Sequence, residues 1–482
     1  MINFKIIFRT IGFLLIGEAL FMLIPLLISF FYGEYDTLGF LYSSVITLLT
    51  GSFILALTFK ATKNLGKREG YIIVSIVWIF FSLFGSLPFY LSEAIPVYHD
   101  AFFETMSGFT TTGASILNNV EEMPHGILFW RSLTQWLGGM GIVVLSLAIL
   151  PAFGIGGMSL FAAEAPGITT DKVNPKIKDT AKILWNVYLI FTIIEIFLLK
   201  FGGMSFFDSI CHSLTTMATG GYSTKQASIA YWDSPYIQYV ITLFMILAGT
   251  NFSLSYFAIA GKPGRLFKNE EFKFYILFIA LATIIATTSL FFFTDYGFEK
   301  SFRNSIFQVV SIMTTTGFVS DNYLLWPTAL IGLIFILFFI GGSTGSTSGG
   351  VKTMRIALLI KNTYYELRRL IHPNAVIPVR FNKKSINQQI INNVLAFFFT
   401  YIAIFFISTF IFLLFVDDFD TAIGAVASSL ANAGPGLGAT GPIETYAFIP
   451  AGGKWFLSFL MLLGRLELFT IIVILSPSFW KR

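Results

Sequence analysis

Cysteine is nearly absent. Cys211 is the single one in 482 residues, so no disulfide can form within the chain, and cysteine usage says nothing more about compartment. Charge is scarce too: Lys, Arg, Asp and Glu make up 12%, against roughly 25% in soluble domains. An ordinary soluble fold is excluded. Histidine is limited to His99, His125, His212 and His372, which leaves few candidates for a general base.

Apolar residues take that place. They form 55% of the chain, 56 of them Phe, and the mean hydropathy is +0.76. A membrane span needs about 20 apolar residues. Ten such segments lie near 6–31, 38–59, 71–92, 129–150, 181–200, 236–260, 272–293, 328–341, 393–416 and 455–475. The eighth is short and should resume as a helix near 351–362. The chain reads as an all-α polytopic membrane protein. Its first segment follows Lys5 and Arg9 but is longer than a signal core and lacks a small-x-small cleavage pattern, so it reads as an uncleaved span.

Basic residues set the orientation. Of 31 Lys and Arg, 24 fall in stretches that are cytoplasmic if the N-terminus is inside: Lys5 and Arg9, Lys60–Arg68, Lys172–Lys182, Lys262–Lys273, Lys352–Lys384 and Lys481-Arg482. Both termini are then cytoplasmic. Basic residues scattered over six inner segments do not form a nucleic-acid face.

Four runs of small and hydroxyl residues ending in glycine then fall on the outer side, each between two apolar segments. They are Thr110–Gly113, Met217–Gly220, Thr314–Gly317 and Ala431–Gly434, with glycines 107, 97 and 117 residues apart. Each follows a short helical stretch opening at Phe102-Phe103, Phe206-Phe207, Phe302 or Phe419. The repeating unit is span, short re-entrant helix, glycine run, span. A leading hairpin (1–69) thus precedes four units, 70–179, 180–271, 272–389 and 390–482. Irregular backbone at membrane depth must line water or be buried in protein. Four copies therefore predict one shared, pseudo-fourfold pore, where carbonyl rings can replace a cation's hydration shell. Outer carboxylates, including Asp100, Glu104, Glu121, Glu122, Asp208, Asp233, Asp295, Glu299, Asp321, Asp417, Asp418 and Asp420, could form a negative vestibule or a solvated face.

Thr110–Ala114, Trp130–Trp136 with Gly138-Gly139-Met140-Gly141, Ala218–Ser223 and Gly341–Gly350 resemble the Trk/Ktr/HKT superfamily of potassium uptake proteins. The extra leading hairpin resembles the TrkH/TrkG branch. The resemblance covers essentially the whole chain. It implies K⁺ as substrate with no cofactor, a bacterial inner-membrane location, a homodimer with one pore per protomer, and a cytoplasmic nucleotide-binding regulatory subunit of TrkA type with Rossmann-like domains. It also implies that the short helices point their negative C-terminal ends at a cavity below the filter. Glycine at all four positions goes with K⁺ preference in that family.

For the filter, Gly113, Gly220, Gly317 and Gly434 are expected to take φ > 0. The preceding pairs Thr111-Thr112, Ala218-Thr219, Thr315-Thr316 and Asn432-Ala433 would supply the carbonyl rings. The fourth pair departs from the threonine pattern, so its ring should be less regular. Arg465 lies about 10 residues into the last span, about 15 Å deep, where a charge must face water or a partner. Glu467 is roughly 200° further round the helix and is not its natural partner. Asn251 marks a polar break after Gly249-Thr250, with a helix–helix hydrogen bond as its expected role. The run Gly341, Gly342, Ser343, Thr344, Gly345, Ser346, Thr347, Ser348, Gly349 and Gly350 holds a helix poorly and reads as a movable loop. Loop carbonyls could hold Arg465 and close the cavity from below, with a regulator acting at the basic 361–384 segment.

Other readings compete. Gly345-x-x-x-Gly349 could be a packing motif, and Gly341-x-Ser343-x-Gly345 matches a nucleophile elbow. A hydrolase fails because no histidine or lysine lies at matching depth on a core span. Gly434-x-Gly436-x-Gly438 has no βαβ surroundings for a dinucleotide. An alternating-access K⁺ symporter coupled to H⁺ or Na⁺ is the alternative to a pore. Such transporters usually show paired or inverted repeats, and four repeats of one orientation fit a pore better.

Overall fold

Apolar length sets the framework. The computed structural model describes residues 2–59, 66–144, 177–375 and 377–481. Among these, six helices are long and apolar enough to cross a membrane: Phe4–Tyr32, Thr37–Leu57, Arg68–Leu91, Ala181–Phe201, Glu270–Phe293 and Gln388–Phe412. They leave side chains such as Phe292, Phe399 and Phe410 exposed, an apolar surface that hydrocarbon would cover. The first two form the leading hairpin. Gly12 and Gly51 bring its backbones together, since a Cβ on Gly12 would lie 3.0 Å from the Gly51 carbonyl oxygen.

Three of the remaining expected spans are broken rather than continuous. Segment 236–260 is two helices, Pro235–Ala248 and Phe252–Ile259, bent by 110°, and segment 455–475 is Ala451–Arg465 and Phe469–Leu475, bent by 113°. Segment 328–341 stops early, as Thr328–Leu337, and resumes after the glycine loop as Thr353–Ile371, longer than the expected 351–362. Local chemistry explains each break. Asn251 caps the second helix by accepting from Ser253 N at 2.8 Å. Glu467 and Leu468 sit at positive φ, 53° and 49°, a conformation that L side chains rarely adopt and that ends the helix. Segment 129–150 is the helix His125–Val144 as far as it is described. The rest of it, and most of the expected Lys60–Arg68 and Lys172–Lys182 loops, lie outside the described residues.

Between the long helices stand four short ones: Tyr98–Phe109, Phe206–Met217, Phe298–Met313 and Phe419–Ala431. Each carries an acid in its first turn, Asp100, Asp208, Glu299 or Asp420, where the positive end of the helix dipole favours it. Two have side-chain caps: Ser205 accepts from Asp208 N, and Asp418 accepts from Thr421 N. Hydrogen bonds from Thr421 hold the Asp418 carboxyl below its usual range. The C-terminal halves of all four helices are buried, and each ends directly at its glycine run.

Candidate ion-conduction site

The four runs share one backbone. In the first, Thr111 N donates to Gly108 O and Thr112 N to Ser107 O; the same pair recurs as Thr219→Thr216 and Gly220→Thr215, Thr315→Ile312 and Thr316→Ser311, and Asn432→Ser429 and Ala433→Ser428. Thr111, Thr219, Thr315 and Asn432 take φ of 52°, 52°, 56° and 57°. Two residues on, Gly113, Gly221, Gly317 and Gly434 take φ of 87°, 76°, 82° and 88°. The second run is therefore shifted by one residue from the sequence expectation. Its left-handed glycine is Gly221, not Gly220, and its equivalent triplet is Thr219-Gly220-Gly221. Ala218 still closes the short helix, its N donating to Leu214 O. Two adjacent glycines made the register ambiguous, and the hydrogen bonds resolve it.

The glycines bring the four turns into a closed ring. A Cβ on Gly113 would lie 2.2 Å from Gly220 O, one on Gly221 2.0 Å from Thr316 O, one on Gly317 2.2 Å from Ala433 O, and one on Gly434 2.8 Å from Thr112 O. Any side chain would collide with a neighbouring carbonyl. First meets second, second third, third fourth, and fourth first. The fourth run is as regular as the others, contrary to expectation. Asn tolerates the left-handed conformation, and Asn432 Nδ2 also donates to Thr112 Oγ1 at 2.9 Å and Met461 O at 2.8 Å.

A shell of hydrogen bonds supports the ring. Gln135 Nε2 donates to Gly220 O at 2.7 Å while its Oε1 accepts from Tyr222 N at 3.1 Å. Ser428 Oγ and Tyr446 Oη donate to Gly434 O at 2.6 and 2.8 Å. Arg131 is the largest surprise. Its Nε donates to the fully buried Glu104 at 2.8 Å, Nη1 to Ser223 O at 3.1 Å and Nη2 to Ser115 Oγ at 3.1 Å, with the guanidinium 4.2 Å from the Tyr222 ring centre. Glu104 is thus the buried partner of Arg131, which braces the first two units, rather than a vestibule charge. Asp100 pairs with Lys454 at 2.6 Å, and Asp208 and Asp321 accept from Thr224 and Asn304. Asp233, Asp295, Asp417 and Asp420 are exposed. Gln135 and Arg131 escaped sequence reasoning, although both lie within the Trp130–Trp136 motif.

Below the ring runs Gly341–Gly350. Gly341, Gly345 and Gly350 take φ of 73°, 76° and 70°, which explains the loss of helix. The loop reaches three units. Thr347 Oγ1 donates to Met217 O at 3.0 Å, Gly350 N to Ala431 O at 3.0 Å, and Gly349 N to Thr315 Oγ1 at 2.7 Å. It therefore satisfies carbonyls at the ends of the second and fourth short helices, groups otherwise free for a cation. Asn251 Nδ2 donates to Thr344 O at 2.6 Å, so Asn251 ties this loop and caps its own helix, and makes no helix–helix bond. Thr344 N donates to the buried Glu271 at 2.5 Å.

Arg465 ends its helix, 3% exposed. Its Nη1 donates to Thr347 O at 2.8 Å and Nη2 to Gly138 O at 3.2 Å, so it bridges the loop and the first unit. Nε has no partner. Glu467 pairs instead with Arg355 at 2.6 Å.

The chain is similar to known proteins along its length. The TrkH family, described as a cation transport protein, matches residues 39–482. The "Trk system potassium uptake protein TrkH" of Halomonas elongata is 40% identical over all of both chains, and that of Escherichia coli K12 is 40% identical over 99% of this chain and all of its own. A crystal structure of the potassium transporter TrkH from Vibrio parahaemolyticus superposes with a TM-score of 0.91 at 36% identity, covering all of both chains. On the ring, the broken helices and these matches, the chain belongs to the TrkH family and is a transport protein, not an enzyme.

Proposed function

We propose that the chain admits K⁺ across the bacterial inner membrane, down its gradient, through the ring of four turns. The observation that carries this reading is the closed cycle of backbone contacts among Gly113, Gly221, Gly317 and Gly434. Four left-handed turns held by a common hydrogen-bond pattern present stacked backbone oxygens without a titratable charge, so an ion can bind and still leave. The filter comprises Thr111, Thr112 and Gly113; Thr219, Gly220 and Gly221; Thr315, Thr316 and Gly317; and Asn432, Ala433 and Gly434. Residues 1–69 are a leading hairpin, and 70–179, 180–271, 272–389 and 390–482 are the four units that surround the pore.

The gate is Gly341–Gly350 with Arg465. In the closed state the loop occupies carbonyls that would otherwise face a hydrated cation, and the guanidinium adds a fixed positive charge. The Arg355–Glu467 ion pair couples the two, since Arg355 lies on the helix after the loop and Glu467 two residues beyond Arg465. That helix, Thr353–Ile371, leads into the basic segment through 384, where a cytoplasmic nucleotide-binding subunit would pull. The assembly is a homodimer, in keeping with the resemblance, with N- and C-termini cytoplasmic.

One observation favours the coupled alternative. Glu18 in the first span is 3% exposed, with both carboxyl oxygens unpartnered, beside Thr105 and Phe109 of the first short helix. A proton-linked symporter would need such a group. ⁸⁶Rb⁺ influx into proteoliposomes, with the proton and sodium gradients collapsed, separates the readings. Continued influx down the K⁺ gradient supports the pore; complete dependence on either gradient replaces it with symport.

A further inference from the structure

The outer mouth of the ring carries a lysine. Lys225 lines the same outward cavity as Gly113, Gly221, Gly317 and Gly434. Its backbone is held at both ends, with N donating to Ser223 Oγ at 3.0 Å and the carbonyl accepting from Ser228 N at 3.0 Å. Ser228 Oγ in turn accepts from Val319 N, which ties the segment to the third unit. The ammonium stands 4.8 Å from the Tyr231 ring centre, a contact that positions it without cancelling its charge. Of the other charges on this cavity, Arg131 is paired with Glu104, which leaves Glu444 to oppose Lys225. A mouth built only to concentrate cations would not hold a lysine.

We propose that Lys225 is a specificity-determining residue that screens the mouth against divalent cations. This inference rests on the ring being the ion pathway. A fixed unit charge changes the free energy of a divalent ion by twice its effect on a monovalent one, so the concentration factor for the divalent ion is the square of that for K⁺. At a separation of about 8 Å in a nearly aqueous mouth, one charge changes K⁺ concentration about two- to threefold, and a divalent ion's about four- to ninefold. Lys225 thus removes divalent ions from the glycine ring at little cost to K⁺ capture.

The test uses full-length protein in proteoliposomes, with ⁸⁶Rb⁺ influx measured against external K⁺ and against external Ca²⁺ as blocker. Lys225→Arg should match the parent in both. Lys225→Gln should strengthen K⁺ apparent affinity about two- to threefold and Ca²⁺ block about four- to ninefold, and Lys225→Glu should shift both further in the same squared relation. Added impermeant salt should shrink every difference. A Ca²⁺ block that is flat across the series, or that changes only by the K⁺ factor, overturns the proposal. Parental vesicles without any ⁸⁶Rb⁺ influx would remove the pathway itself and this inference with it; normal parental influx with a flat series removes this inference alone.

Discussion

Replacing Arg465 by alanine removes the bridge between the glycine loop and the first unit. The guanidinium makes two hydrogen bonds, to Thr347 O at 2.8 Å and Gly138 O at 3.2 Å. Only the charge-assisted bond to Thr347 O holds the loop, and it contributes about 1.5–3 kcal/mol. At about 1.4 kcal/mol per factor of ten, its loss raises the ratio of open to closed loop by at least tenfold. The fixed charge leaves the path as well. Arg465→Ala should therefore raise ⁸⁶Rb⁺ influx about tenfold or more at equal protein, with the K⁺/Na⁺ permeability ratio unchanged because the ring lies above the substitution. Arg465→Lys keeps the charge but loses the planar donor fork, so its influx should fall between the two. Unchanged or lower influx in a well-folded Arg465→Ala protein would refute the gate and leave Arg465 a packing role.

Four further outcomes follow from the geometry. Gly113→Ser and Gly317→Ser should lower K⁺ preference over Na⁺, since a Cβ would stand 2.2 Å from a neighbouring carbonyl in each, and bi-ionic permeability ratios will show it. The corrected register predicts that Gly221→Ala is more damaging than Gly220→Ala: the first meets Thr316 O at 2.0 Å with φ at 76°, the second only the side chain of Gln135. Gln135→Ala removes two hydrogen bonds at Gly220 and Tyr222, about 1 kcal/mol each, and should reduce selectivity while leaving influx measurable. Glu467→Gln weakens the tie between Arg355 and the last broken helix, so the response of influx to the cytoplasmic regulator should fall more than basal influx, as titration of that subunit will read.

Much of the framework could be read from local pattern. Apolar run length, scattered basic loops and four glycine-terminated runs follow from transfer energies and backbone sterics, which act within a few residues. Those terms located the apolar helices and the Gly341–Gly350 loop, and they excluded Glu467 as the partner of Arg465. They failed where a decision depends on residues far apart in the chain. Nothing near Gly220-Gly221 says which glycine turns left-handed; hydrogen bonds to Thr215 and Thr216 and the approach of Thr316 decide it. Glu104 reads as one more outer acid until Arg131, on the next helix, neutralises it in a buried site. Arg465 needs carbonyls from two other units, residues 118 and 327 positions away. Sequence alone determines which segments are apolar and which are irregular, because each such property is local. Tertiary structure alone decides which irregular segments meet, in what cyclic order and with which charges cancelled, because those energies arise only when the units close around one axis.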